Sequence, residues 1–294
     1  HEAGHLLGGK LAGFHFALFV VGPLMIARER DRVKISMNKN LAMYGGLASS
    51  YPRDTHNLRH RMAMLVAGGP VVSLLIGAAL IGLRYAFVPE AAHPDTHTVG
   101  DLYARLMLMT MGLASLGIGV VTLVPGKTGG FLTDGARLRL LAKGGPEADR
   151  EQAIWQVATT SMAGQRPANW PADAIQAAIA LEDETPVEHL ARSLAYVHAM
   201  DHQAYSTAQV HLERSLALWS HLPSAIRPSL ACEASYFEGA VRRDAVRSRA
   251  WLDRAGASHF LDVVTKGRAE AAMLIAEGKS IEAIAKLKEV LAGT

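Results

Sequence analysis

The stretch Met62–Leu83, MAMLVAGGPVVSLLIGAALIGL, contains no charged residue. As a helix rising about 1.5 Å per residue, roughly 22 residues reach about 33 Å, enough to cross the hydrocarbon core of a bilayer. A second uncharged run, Leu106–Gly126, has similar length. Gly68, Gly69, Gly77 and Gly82 lie in the first run, and Gly112, Gly117 and Gly119 in the second. Small residues of this kind let membrane helices approach closely. Two membrane-spanning helices are therefore expected, although buried helices of a soluble protein share this composition.

The flanking charges give an orientation. Arg53, Arg59 and Arg61 precede the first run, and Lys127, Arg137, Arg139 and Lys143 follow the second, whereas Arg84, Glu90, Asp95 and Asp101 lie between them. An excess of Lys and Arg marks the cytoplasmic side, so both outer flanks are expected there, with the basic segment Arg28–Lys34. Over the whole chain of 294 residues, 30 basic against 27 acidic side chains leave +3. That balance gives no reason to expect nucleic acid as a partner. One cysteine, Cys232, excludes an internal disulfide framework and a cysteine-rich zinc module.

Phe14–Ile26 is aromatic and β-branched and is broken at Gly22-Pro23, and Arg32–Met37 alternates polar with apolar side chains. Both read as short strands, a β-hairpin at the membrane interface that offers an edge to an extended substrate. After Gly144-Gly145-Pro146 the texture changes to charges at helical spacing. The expected architecture is mainly α: a polytopic α-helical membrane domain with a short β-hairpin over residues 1–145, then an all-α cytoplasmic domain over 146–294. Within the latter, Gln209–Leu218, Ser248–Ala257 and Ala283–Ala292 superimpose with Leu212, Leu252 and Leu287 in register. The period of about 35–40 residues is that of tetratricopeptide helix hairpins. Ordinary amphipathic helices account for the pattern equally well.

Chemistry concentrates at the start, in His1-Glu2-Ala3-Gly4-His5. Positions i and i+4 share one face of a helix, so His1 and His5 can offer imidazole nitrogens to one Zn2+ ion while Glu2 sits beside the reacting water. A catalytic zinc takes three protein ligands. Asp134, in the stretch GGFLTDGAR from Gly129 to Arg137, is the best third candidate, because it follows the second uncharged run on the side to which the first helix also leads. Its simpler role is that of a helix N-cap.

Together these pieces resemble the site-2 protease family of intramembrane zinc metalloproteases. The resemblance rests on HEAGH at residues 1–5, on AGGPVVS at residues 67–73, and on Leu123-Val124-Pro125 followed by Leu132-Thr133-Asp134-Gly135, in that order and at similar spacing. It covers roughly residues 1–143. It implies a zinc endopeptidase in which His1, His5 and Asp134 bind the metal, Glu2 is the catalytic base and Ser73 contacts substrate. The family often has Asn at the position of Ser73 and Pro at that of Thr133, and these departures bear on substrate contacts more than on the metal. His1 in place of Met makes an N-terminal truncation the expectation.

The implied partners are a membrane protein or peptide as substrate, the lipid bilayer, and a protein docked on the C-terminal helices of a multi-pass integral membrane protein. Two other readings use the same residues: a catalytically inactive membrane adaptor of the same fold, and a soluble zinc hydrolase.

Overall fold

Residues 1–29, 32–38, 46–87, 99–128, 131–256 and 261–292 are described in the computed structural model. Glu90, Asp95, His93, His97 and the Gly129-Gly130 pair fall outside them. The chain divides into two compact units, residues 1–164 and 165–294. The composition break after residue 145 does not coincide with that division, because helix α5 (Pro146–Met162) belongs to the first unit. Trp155 of α5 stacks edge-on against Phe14, with ring centroids 6.1 Å apart.

Helix α1 (Glu2–Leu11) leads into a four-stranded antiparallel sheet of β1 (Phe14–Val21), β2 (Leu24–Glu29), β3 (Arg32–Met37) and β4 (Leu47–Pro52), in the order β3-β2-β1-β4. Gly22-Pro23 forms the β1–β2 turn, since Val21 pairs with Leu24 and Gly22 has φ +54°. A two-residue hairpin wants a glycine with positive φ at that first turn position. The sheet is larger than the expected hairpin. It also corrects the expected substrate edge: β1 is paired on both sides and β2 lies between β1 and β3, so Phe14–Ile26 offers no free edge.

Two helices among the described residues are long and apolar enough to cross a membrane, α2 (Leu58–Phe87) and α3 (Val99–Leu123). Helix α3 begins before its uncharged run and includes Asp101 and Arg105. The two helices pack antiparallel, with Gly77 against Gly112 and Leu116, and Gly119 against Leu74 and the Pro70 carbonyl. Gly82 and Gly117, expected to serve the same packing, have nothing within 4 Å of where a Cβ would stand. Helix α1 also lies antiparallel on α2: a Cβ on Gly4 would fall 2.4 Å from the Gly68 carbonyl oxygen, and one on Gly8 2.5 Å from that of Met64. A larger residue at either position would force the helices apart.

Arg59 and Arg61, read as flanking charges, are built into the protein. Arg61 Nε donates to the Ala12 carbonyl at 2.6 Å and Nη2 to that of Gly13 at 3.1 Å, which satisfies the C-terminal end of α1. Arg59 Nε donates to the Leu141 carbonyl at 2.5 Å, near the end of α4 (Asp134–Lys143). One end of α2 thus holds the C-terminal ends of both α1 and α4. Their N-terminal ends come together near Ser73, about halfway along α2.

Among its described residues the second unit contains helices and no strand. It runs through α6 (Ala172–Ile179), α7 (Pro186–Asp201), α8 (Tyr205–Ala217), α9 (Arg227–Tyr236), α10 (Ala245–Ala255), α11 (Val263–Ala276) and α12 (Ser280–Ala292). Pairs α7–α8, α9–α10 and α11–α12 pack as successive hairpins. The three superimposed stretches map to α8, α10 and α12. Their register leucines differ in environment, since Leu212 is buried whereas Leu287 is exposed. Cys232 lies in the core, where burial pushes its thiol up to about 11.

Candidate metal centre

His1 stands at the N-cap of α1 and His5 one turn on, so both imidazoles project from the same face. Their rings meet edge-on with centroids 4.9 Å apart. Asp134 Oδ2 lies 3.1 Å from His1 Nε2 and 3.6 Å from His5 Nε2. Zinc–ligand bonds of about 2.0–2.1 Å at tetrahedral angles put donor atoms about 3.4 Å apart. The two nitrogen-to-carboxylate separations therefore suit donors sharing one ion, as does the donor chemistry.

Each imidazole is oriented from behind. His5 Nδ1 donates to the Leu65 carbonyl of α2 at 3.1 Å, which leaves Nε2 as the lone-pair nitrogen facing Asp134. His1 Nδ1 is 3.1 Å from Ser73 Oγ. Hydrogen bonds of this kind fix the tautomer and ring angle of metal-ligating histidines. Ser73 is 2% exposed, and Ser115 Oγ donates to its carbonyl at 2.8 Å. The structure thus sets the Ser73 hydroxyl, implied above as a substrate contact, against His1 Nδ1 in a buried position.

The local sequence of α2 serves the same geometry. Gly68 lets α1 approach backbone to backbone, and the His5 ring lies on Gly69, where a Cβ would come 2.4 Å from Nε2. Pro70 brings no N–H to this turn. One helical turn further on from Gly69, Ser73 reaches His1.

Asp134 is not the cap of α4. Thr133 fills that position: its Oγ1 accepts from Ala136 N at 3.4 Å and from Gly126 N at 3.0 Å, and donates to the Val124 carbonyl at 2.8 Å. The carboxylate of Asp134 is thereby left for the histidines. Gly135 allows α4 to start against the end of α3, since a Cβ there would fall 1.8 Å from the Leu123 carbonyl oxygen. Burial pushes the Asp134 carboxyl up, opposed by His5, a hydrogen bond from Thr122 and Arg137. The positive N-terminal ends of α1 and α4 both favour negative charge at this point.

Glu2 completes the cluster. Ligand atoms of His1, Glu2 and His5 lie within 4.8 Å of one another. Asp134, whose Oδ2 lies within 3.6 Å of both Nε2 atoms, and Glu2 are thus the two carboxylates that could join the histidines as a third ligand. The Glu2 side chain rests against Gly46 just before β4, where a Cβ would lie 2.8 Å from Glu2 Cγ. Nothing in the sequence pointed to Gly46 or Leu65 as parts of this arrangement, whereas Gly69 lies in the AGGPVVS stretch.

No match is found in a scan against protein-family models, in a search of the curated proteins or in a search of the solved structures.

Proposed function

We propose that this chain is an intramembrane zinc endopeptidase of the site-2 protease kind, cutting a peptide bond of a membrane-associated protein or peptide. The observation that carries the reading is the approach of His1 Nε2, His5 Nε2 and Asp134 Oδ2 to one another, with Glu2 at their side. His1, His5 and Asp134 would hold the metal. Zinc bound there supplies Lewis acidity to water and to the scissile carbonyl.

Glu2 accepts the proton of the attacking water and passes it to the departing amine. Ser73 and the Leu65 carbonyl keep the imidazoles turned inward through the cycle. Substrate must arrive with an unwound or extended backbone, since the carbonyls of an intact membrane helix are already hydrogen-bonded.

The surfaces of α2 and α3 support an integral, multi-pass location over a soluble hydrolase with buried apolar helices. Only 28% of the apolar window of α2 and 11% of that of α3 is buried within the protein. Leu106, Met107, Met111, Val120 and Val121 are all more than half exposed. Water does not tolerate an apolar surface of that extent, whereas lipid covers it without cost. By the charge flanks, the C-terminal helices lie in the cytoplasm.

The test compares membrane-peptide profiles of cells carrying wild-type protein or Glu2→Gln. Glu2→Gln keeps the proposed ligands and removes the base, so peptides released by wild type are expected to disappear while bound zinc is unchanged. Identical profiles with equal zinc would favour the inactive adaptor.

A further inference from the structure

A cleft with a volume of about 740 Å³ lies away from the His1–His5 pair, at the Arg59 end of α2. Its apolar walls are Leu58, Ala63, Leu138 and Leu141, from α2 and α4. Its polar lining includes Arg59, His60, Asn57 and Gln152, and no carboxylate lines it. The first turn of this 30-residue helix has no acidic residue of its own, and Asp54, just ahead of it, is paired with Arg61 at 2.7 Å. Arg59 is held in place by its bond to the Leu141 carbonyl, which makes it a fixed rather than a wandering cation.

We infer that this cleft binds the headgroup and upper acyl chain of an anionic phospholipid. The inference rests on the membrane part of the function proposed above, and not on the proteolysis. The volume lies in the range of small-molecule sites. The cleft stands where the uncharged run of α2 begins, the depth at which headgroups meet acyl chains. A phosphate there faces Arg59, His60 and the helix end, and the chain below it lies along Ala63 and Leu138. A free phosphate ion would use only the first half of that lining. Anionic leaflets attract basic groups at this depth on the cytoplasmic side.

The test is native mass spectrometry of the full chain in neutral detergent, titrated with phosphatidylglycerol, phosphatidylcholine or inorganic phosphate. Phosphatidylglycerol is expected to bind at concentrations at least tenfold lower than phosphatidylcholine and to resist displacement by inorganic phosphate. Gln152→Glu, which adds a carboxylate to the lining with almost no change of shape, is expected to weaken phosphatidylglycerol at least fivefold and to leave phosphatidylcholine and zinc content unchanged. Ala63→Phe, which fills the apolar wall, is expected to weaken both lipids. Equal affinity for the two lipids, displacement by inorganic phosphate, or Gln152→Glu binding like wild type would each overturn the inference. Release of the chain from membranes by carbonate would instead overturn the membrane reading itself, so the two failures are distinguishable.

Discussion

His1 Nε2 lies 3.1 Å from Asp134 Oδ2, although 133 positions separate them. Two arginines at one end of α2 and the glycines along it produce that approach. Arg61 ties down the end of α1, Arg59 the end of α4, and Gly68 removes the side chain that would keep α1 away. The three side chains are therefore brought together by the packing of three helices and not by a flexible loop, as a preorganised site requires.

Ser73→Ala removes the partner of His1 Nδ1 without touching a proposed ligand. Losing such an outer hydrogen bond typically costs about 10–100-fold in metal affinity. Zinc competition with a chromophoric chelator is expected to show a drop in that range, with helix content unchanged. A loss of substrate affinity at full zinc occupancy would return Ser73 to the substrate.

Gly69→Ala is a sharper test of geometry, because its methyl would overlap the His5 ring. It is expected to abolish stoichiometric zinc binding while α2 remains helical, alanine being the better helix former by about 1 kcal/mol. Normal zinc content in this variant would mean that His5 does not sit where the structure has it.

The two long apolar helices are legible in the sequence because an uncharged run of that length is rare outside a membrane span or a deeply buried helix. The first turn of α1 is legible because paired histidines at i and i+4 mark a helix face. Strand β4 is not. Leu47–Pro52 reads LASSYP, short, small and ending in proline, and it becomes a strand only by pairing with β1. Arg59 and Arg61 are legible as charge and not as carbonyl donors, since what a guanidinium bonds to depends on distant backbone. The cap of α4 falls on Thr133 and not on Asp134 for a related reason: both residue types cap helices, and only tertiary contacts decide which does.

In the helical unit, burial lowers the His189 pKa to about 4, so the folded state keeps this imidazole neutral. The unfolded chain takes up a proton near the ordinary value of 6.5, and between those values the unfolded state binds more protons. Stability is therefore fully present above about pH 6.5 and is lost as pH falls towards about 4. At about 1.4 kcal/mol per pH unit, the window is worth roughly 3 kcal/mol. Protection of α7 amides in the full chain, that is, exchange relative to the intrinsic rate at each pH, is expected to fall across this range, and His189→Gln to flatten the response. Protection that does not change with pH in wild type would contradict the buried neutral state.

X-ray absorption at the zinc edge on the purified full chain addresses the metal centre most directly. The expected shell has two imidazole nitrogens and a carboxylate oxygen at about 2.0–2.1 Å, with the carboxylate contribution absent in Asp134→Ala. A shell without two imidazoles, or one that is the same in Asp134→Ala, would contradict the convergence of His1, His5 and Asp134 on one ion.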